Sequence, residues 1–189
     1  NEVIPESSAE NTEYGLALIG TFSGWDASLY WAQFFDDNAH YKITNITIIP
    51  GVGAIPTLEQ QHSRLTMGGG TLSISFGNFV WKAEAAQLRG LEFALVNDKI
   101  FSRTDFLFGI EYSGLSDTSL TIESGVKHIN DFDKRLEGVP DSELEDRFAT
   151  SVIFAQDYLN QTLHLNFTGM MIGERGRDGG INRTSLEYD

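Results

Sequence analysis

The chain has 189 residues, of which 12% are aromatic, with 19 Gly and only 4 Pro, and this composition is typical of an ordered, β-rich protein. Its formal net charge of −14 at pH 7 argues against nucleic acid and anionic lipid headgroups as partners, because both would repel it. The lack of Cys excludes disulfides and thiolate metal sites, and no apolar run reaches the roughly 18 residues of a transmembrane helix.

Segments with alternating apolar and polar side chains recur along the chain and predict β-strands. The first four predicted strands cover residues 13–22, 24–35, 65–76 and 79–92. Four more are predicted at 101–112, 119–128, 147–159 and 162–172, and a ninth at 181–189. Helical periodicity is nearly absent. The sequence therefore predicts an all-β fold, an antiparallel up-and-down meander of eight or nine long strands.

The connections between these strands alternate in length. Short turns rich in Gly, Asn, Asp and Ser join the strands in pairs at 23–24, 77–78, 113–118 and 160–162. The intervening connections are longer and mostly polar, and they cover 36–64, 93–100, 129–146 and 173–180. Short turns on one side and long loops on the other are typical of bacterial outer-membrane barrels, whereas a soluble up-and-down barrel has no reason to sort its loops.

Each predicted strand has one apolar, aromatic face and one charged or small-residue face. In the segment DFLFGIEY (105–112), rings and aliphatic side chains occupy the even positions and acidic or small residues most of the odd ones. About a dozen large rings would overfill an eight-stranded barrel, but they have unlimited room if they point outward. Strands of about ten residues also suit a tilted crossing of a bilayer. We therefore expect the apolar face to contact lipid and the charged face to line a lumen.

Two sets of candidate residues follow from this orientation. The predicted lumen-lining residues, which could border a solute path, are Lys82, Glu84, Arg103, Asp105, Glu111, Glu123, Lys127, Arg147, Asp157 and His164. The predicted membrane-interface aromatics, which would bracket an apolar band, are Tyr14, Phe22, Trp25, Trp31, Trp81, Tyr112 and Tyr158. The opposite charges on neighbouring strands could set the selectivity of a pore, or they could pair to hold the shape of the barrel.

Three segments carry a resemblance to a known family: ENTEYGLALIGTFSGWDASLYWAQFFDD, FVWKAEAAQLRGLEF and GIEYSGLSDTSLTIESGVKHINDFD. They resemble large, uncharacterised outer-membrane β-barrel proteins of Gram-negative bacteria, notably Pseudomonas, which are described as a domain of unknown function. The resemblance extends from about Asn11 to Tyr188. It implies a barrel several hundred residues long and supplies no catalytic residues.

The strand directions lead to an expectation about domain organisation. If the short turns are periplasmic, the first strand runs inward from the outer side, and the ninth stops before it completes a span. Residues 1–189 are therefore expected to form a single segment of a longer barrel, with residues 1–12 as a remnant of an outer loop. The rest of that barrel would be a partner of the chain.

Motifs for catalysis or metal binding are weak. His164 shares the predicted lumen face with Ser151, Asp157 and Asn166, but no nucleophile motif such as GxSxG accompanies it. The loop at 129–146 is rich in carboxylates that could bind Ca²⁺, yet their spacing is not that of an EF-hand, and a solvated acidic loop is expected. The sequence therefore predicts no enzyme activity, no cofactor and no metal site.

Taken together, these patterns predict a porin-like β-barrel protein of the bacterial outer membrane. It would lie in the lipid bilayer and pass small solutes passively through a polar lumen. The main alternative is a soluble, lipocalin-like β-barrel in which the ring face lines an apolar ligand pocket. A barrel hydrolase acting through His164 is a further alternative.

Overall fold

The computed structural model describes residues 2–5 and 8–189, and these residues are mostly β-strand. Within them, a nine-stranded antiparallel sheet has the order β12-β11-β10-β9-β8-β7-β6-β3-β2, and a small sheet has the order β1-β5-β4. The strands are β1 (Glu2–Val3), β2 (Tyr14–Phe22), β3 (Trp25–Phe35), β4 (His40–Ile49), β5 (Gly53–Gln61), β6 (Arg64–Phe76), β7 (Phe79–Leu91), β8 (Phe101–Tyr112), β9 (Thr118–Asn130), β10 (Asp146–Tyr158), β11 (Leu163–Ile172) and β12 (Gly179–Tyr188). The predicted all-β antiparallel meander is confirmed.

All nine predicted strands are present in the large sheet, and their ends lie within two residues of the predicted ones. The alternation of side chains succeeds as a predictor because one face of each strand is apolar and the other is polar. Turn residues mark the ends. Gly24 and Gly77 have φ angles of 84° and 60°, left-handed values that the short turns after β2 and β6 require.

The prediction that 36–64 is an irregular loop is wrong, because this segment contains the β4–β5 hairpin. Its β-branched side chains favour strands, but Pro50, Pro56 and two glycines indicate a loop when the sequence is considered alone. A proline is tolerated in a strand where its missing N–H would face a sheet edge. Here β1 pairs with β5 only at Gln60 and Gln61, so Pro56 lies beyond that pairing.

The large sheet is open. β2 and β12 lie at its two edges, and no pairing among the described residues joins them into a barrel. Because all eight neighbouring pairs are antiparallel, the first and ninth strands across the sheet run in the same direction. Antiparallel closure of this sheet would therefore take an odd number of additional strands.

The buried core lies at the long-loop end of the sheet and not along its length. It consists of Leu65, Leu91, Val96, Phe101, Ile129 and Leu136. A β-bulge between Arg89 and Leu91 turns the side chain of Leu91 toward this core. The bulge is built on Gly90, whose φ is 107° and whose added Cβ would lie 2.3 Å from the carbonyl oxygen of Arg64.

The described helices are three short 3₁₀ turns, at Ala9–Asn11, Lys134–Glu137 and Glu174–Gly176. Across the described part of the chain, no helix has the length and apolar character needed to span a membrane.

Candidate functional site

The pairing register assigns every strand residue to one face of the large sheet, because directly opposite residues point to the same side. Trp81 lies between Ile74 and Ile110, and Phe106 lies opposite Val126. We define the face that carries these residues as the apolar face and the opposite face as the polar face. The polar face also carries the buried core at its long-loop end, through Leu65 and Ile129.

Side chains on the apolar face are widely exposed. Phe108 is 53% exposed and Trp81 is 41% exposed, so these rings do not pack in a dry centre. All three Trp residues of the chain, Trp25, Trp31 and Trp81, lie on this face. The apolar face therefore presents a broad surface of rings and aliphatic groups with little of the protein covering it.

The seven predicted interface aromatics all lie on the apolar face, but they are distributed unevenly. Rings cluster at the short-turn end, where Phe22 stacks on Trp25 with their centroids 4.1 Å apart. Tyr14 and Trp31 pair further along, with centroids 5.6 Å apart. The members at the short-turn end are Phe22, Trp25, Trp81, Tyr112 and Tyr158.

The apolar face turns polar before the strands reach the long loops. In the row of Trp31 it carries Thr104, and in the next row it carries Gln33 and Arg89. His128 lies opposite Thr104, and its Nδ1 is 2.8 Å from a carboxylate oxygen of Asp146. The apolar band thus occupies the part of the sheet nearest the short turns, and the strands continue past it with a polar surface.

All ten predicted lumen-lining residues lie on the polar face, although they do not form one cluster. A groove of about 650 Å³ crosses this face from β3 to β11, and we refer to it as the polar groove. Five of the ten residues line it: Glu84, Asp105, Glu123, Lys127 and Arg147.

Ion pairs hold several of the charged side chains on the polar face in place. The guanidinium of Arg103 donates two hydrogen bonds to the carboxylate of Asp105, at 2.8 and 2.9 Å. Lys82 Nζ lies 3.3 Å from a carboxylate oxygen of Glu111. Such pairs on a half-exposed surface contribute little to stability, but they hold the side chains in defined positions along the face.

His164 has two carboxylate neighbours, but Ser151 lies far from it. Its Nδ1 is 2.7 Å from Asp157 Oδ1, and its Nε2 is 3.3 Å from Asp189 Oδ2. Ser151 lies six residues from Asp157 on β10, roughly 20 Å along the strand, opposite Met170. The structure does not bring Ser151 to His164, as a triad with that serine would require.

Two long loops, 92–100 and 131–145, fold over the long-loop end of the polar face, and together we refer to them as the plug. Leu136 and Val96 are fully buried within it. Asp141 joins the loops, because its carboxylate accepts hydrogen bonds from the backbone N–H groups of Ala94 and Leu95 at 3.0 and 2.7 Å. The expectation that 129–146 is a solvated acidic loop therefore holds only in part, because most of the segment is exposed but Leu136 is buried and Asp141 is half-buried.

Four carboxylates of the plug have protein donors: those of Asp98, Asp133, Asp141 and Glu143. Asp133 accepts hydrogen bonds from the side chain and backbone N–H of Arg135, which lower the pKa of Asp133 to about 2. Arg135 also pairs with Asp98 at 3.2 Å. Among the described residues no group of three or more His, Cys, Asp or Glu side chains could hold a metal ion.

A second space of about 370 Å³, here named the mouth cavity, lies between the plug, the β4–β5 hairpin and the polar face. Ser63 Oγ is 3.1 Å from His40 Nδ1, and His40 Nε2 is 3.9 Å from Glu92 Oε2. Burial lowers the pKa of His40, which keeps the ring neutral at pH 7. The Glu92 contact is longer than a hydrogen bond, so these three residues do not form a complete catalytic triad.

No sequence pattern indicates this cavity. His40, Ser63 and Glu92 are widely separated along the chain, and the segment that carries His40 was predicted to be a loop. Only the hairpin brings the start of β4 next to the end of β5, because His40 is paired with Gln61. A correct prediction of this hairpin would have placed His40 beside Ser63.

Comparison of the chain with family models, curated proteins and solved structures found no match. The resemblance to a family of outer-membrane proteins therefore stays a prediction.

Proposed function

We propose that the chain forms part of the wall of an outer-membrane-type β-barrel. Its apolar face contacts the lipid bilayer, and its polar face borders a water-filled path for the passive transport of small solutes. The barrel is of the kind found in the outer membrane of Gram-negative bacteria, and its remaining wall is the chain's other partner.

The observation that carries this proposal is the exposure of the apolar face. Leu16 and Leu18 are more than 70% exposed, and the rings of Phe106 and Phe108 are more than half exposed. Monomeric soluble proteins rarely expose contiguous apolar patches this broad, because contact with water is unfavourable. Lipid chains would cover the whole face without any rearrangement of the sheet.

The polar face has the chemistry of a hydrated path. It carries paired charges of both signs, such as Arg103 with Asp105 and Lys82 with Glu111. Charged side chains that line a pore set its local field and its selectivity. Short turns at one end and long loops at the other end, with aromatic rings near the short turns, further support a barrel of this class.

Quenching of tryptophan fluorescence by lipids tests the orientation. Trp25, Trp31 and Trp81 are replaced by Phe, and a single Trp is introduced at Leu18 on the apolar face or at Ile19 on the polar face. Both sites are exposed neighbours on β2, so the pair is closely matched. In phosphatidylcholine vesicles with brominated acyl chains, emission from Leu18→Trp is expected to be quenched and that from Ile19→Trp to be largely retained.

Equal quenching at the two sites, or none at either, would contradict the proposal. A separate measurement addresses transport, because a path through the barrel predicts a stable conductance when the complete barrel, with its remaining wall, is reconstituted in a planar bilayer. Lack of conductance despite lipid quenching at Leu18→Trp would remove the transport role and leave only the membrane location.

One observation favours the soluble alternative. A groove of about 1220 Å³ runs along the apolar face, and Trp25, Phe106, Phe108 and Phe148 line it. Such a groove could hold an apolar ligand in a soluble β-protein. In that case the chain would stay dispersed in plain buffer, and an apolar ligand, not lipid vesicles, would change its tryptophan emission.

A further inference from the structure

We propose that Lys127 and Arg147 form an anion-binding junction between the polar groove and the mouth cavity, and that its ligand is a small carboxylate with a short apolar tail. This inference deepens the proposed function, on which it rests for the role of the ligand as a transported solute.

The position of the two cations is the first argument. Lys127 and Arg147 each line both the polar groove and the mouth cavity. They are direct cross-strand partners on β9 and β10, so their side chains leave the sheet side by side. A solute that moves between the two spaces therefore passes both of them.

Of the two cations, Lys127 is the one whose ammonium group can contact an anionic ligand. Arg147 is held by Glu143 at 2.9 Å and by the carbonyl oxygen of Ser142 at 3.0 Å. Lys127 has no ion pair or hydrogen bond to another side chain within residues 2–5 and 8–189. Its other cross-strand neighbour, Asp105, already accepts two hydrogen bonds from the guanidinium of Arg103.

The cross-strand pairing of Lys127 with Arg147 also favours the binding of an anion. Like charges directly opposite each other in a sheet are destabilising, and a carboxylate between them would relieve the repulsion. The one carboxylate on β9, that of Glu123, makes no ion pair or side-chain hydrogen bond to the residues that the structure describes, and it lies four residues from Lys127, roughly 13 Å along the strand.

The walls of the mouth cavity define the rest of the ligand. Four carboxylates line this cavity, of which Asp141 accepts hydrogen bonds from the amides of Ala94 and Leu95 and Glu143 pairs with Arg147; the other two are Asp36 and Glu92. The apolar groups that line this cavity include Phe93, Ile129, Pro140 and Leu144. A volume of about 370 Å³ lies near the lower end for ligand sites, which suits a short aliphatic acid.

The test is a titration of the purified chain in detergent micelles, in which ligand binding is measured through changes in the amide NMR chemical shifts. Butyrate is the probe, acetate lacks the apolar tail, and butylammonium has the tail with the opposite charge. Butyrate is expected to shift the amide signals of Lys127, Arg147 and Phe93. Acetate should bind more weakly, and butylammonium should leave these signals unchanged.

Variants identify the residue responsible. Lys127→Gln is expected to weaken butyrate binding about fivefold or more, because a charge-assisted contact is lost. Lys127→Arg keeps the charge and should retain binding, which separates loss of the site from loss of the fold. Lys134→Gln removes the same charge from the exposed 3₁₀ turn of the plug and should have no effect.

Equal shifts with butyrate and butylammonium, or an unchanged affinity in Lys127→Gln, would overturn the junction. Because the titration needs no bilayer, it can succeed or fail independently of the quenching experiment. Butyrate binding without lipid quenching would preserve the site and remove the membrane role. Lipid quenching without butyrate binding would do the reverse.

Discussion

The carboxylate of Asp141 accepts a 2.7 Å hydrogen bond from the backbone N–H of Leu95, which lies 46 residues earlier in the chain. Together with the bond to Ala94, this contact joins the two loops of the plug. A buried backbone N–H that loses its acceptor carries a large desolvation cost, so one side chain controls the docking of both loops.

Replacement of Asp141 by Ala is therefore expected to lower the free energy of unfolding by about 2–3 kcal/mol, since two backbone donors are left unsatisfied. Denaturant titration in micelles measures the loss, and faster hydrogen exchange at Ala94 and Leu95 should accompany it. Glu145→Ala, in the same loop, removes a carboxylate that makes no hydrogen bond within the described part of the chain, and this variant serves as the control. Equal losses in the two variants would contradict this account.

Leu136 anchors the plug through its buried side chain, which is 0% exposed. Leu136→Ala should cost about 2–5 kcal/mol, because both the transfer free energy and the cavity left behind oppose folding. Leu115, in an exposed turn between β8 and β9, provides the comparison, and its replacement by Ala should change stability by about 0.5 kcal/mol or less. A cost at Leu136 no larger than that at Leu115 would mean that the plug does not pack in solution.

Gly90 is required by the bulge at the end of β7. Its φ of 107° strains any L-residue, and an added Cβ would lie 2.3 Å from the carbonyl oxygen of Arg64. Gly90→Ala should therefore destabilise the protein by about 2 kcal/mol or more in a denaturant titration. Gly68→Ala, in β6, meets no atom within 4 Å and should be nearly neutral. If Gly90→Ala proved as mild as Gly68→Ala, the bulge would not hold the core in place.

The buried imidazole of His40 predicts a pH dependence. Because burial lowers its pKa from 6.5, the unfolded chain binds a proton more readily than the folded one. Stability is then retained above pH 6.5 and decreases as the pH falls below it, although nearby Glu92 partly opposes the shift. Unfolding measured from pH 7.5 to 5.5 should show this decrease in the parent protein and in His128→Gln, and a smaller one in His40→Gln.

The orientation of the sheet can also be tested through stability. In lipid, Leu18→Lys places a charge on the apolar face and should cost about 2–4 kcal/mol near the bilayer midplane. Ile19→Lys places the same charge on the polar face and should cost much less. Folding yield and unfolding in phosphatidylcholine vesicles measure both variants. Similar costs at the two adjacent sites would mean that lipid does not contact the apolar face.

Much of the sheet could be predicted because the alternation of side chains and the turn residues are properties of short segments of the sequence. In a strand with one apolar and one polar face, the alternation of side chains is visible in that strand's own residues. Turn residues such as Gly24 and Gly77 mark where the strand ends. The assignment of Lys82, Asp105 and Glu123 to one face followed from the same period of two. The hairpin at 40–61 was not predicted, because prolines and glycines interrupt the alternation of apolar and polar residues in this segment.

The arrangement of the mouth cavity and the plug could not be predicted from local sequence patterns. Asp141 with Leu95, and Ser63 with His40, are contacts between segments that no periodicity connects. Nothing in the sequence around Leu136 distinguishes a buried anchor from an exposed loop residue, since its neighbours are charged.

By itself, the sequence determined the nine strands of the large sheet, their order along the chain and the separation of an apolar from a polar face, because backbone pleating makes these local properties. Only the tertiary structure decided that the core forms at the long-loop end, that Asp141 joins the two loops of the plug, and that Lys127 lies beside Arg147 with no ion pair among the described residues. Those features depend on which distant side chains meet, and that is set by the packing of the loops against the sheet and not by any local pattern.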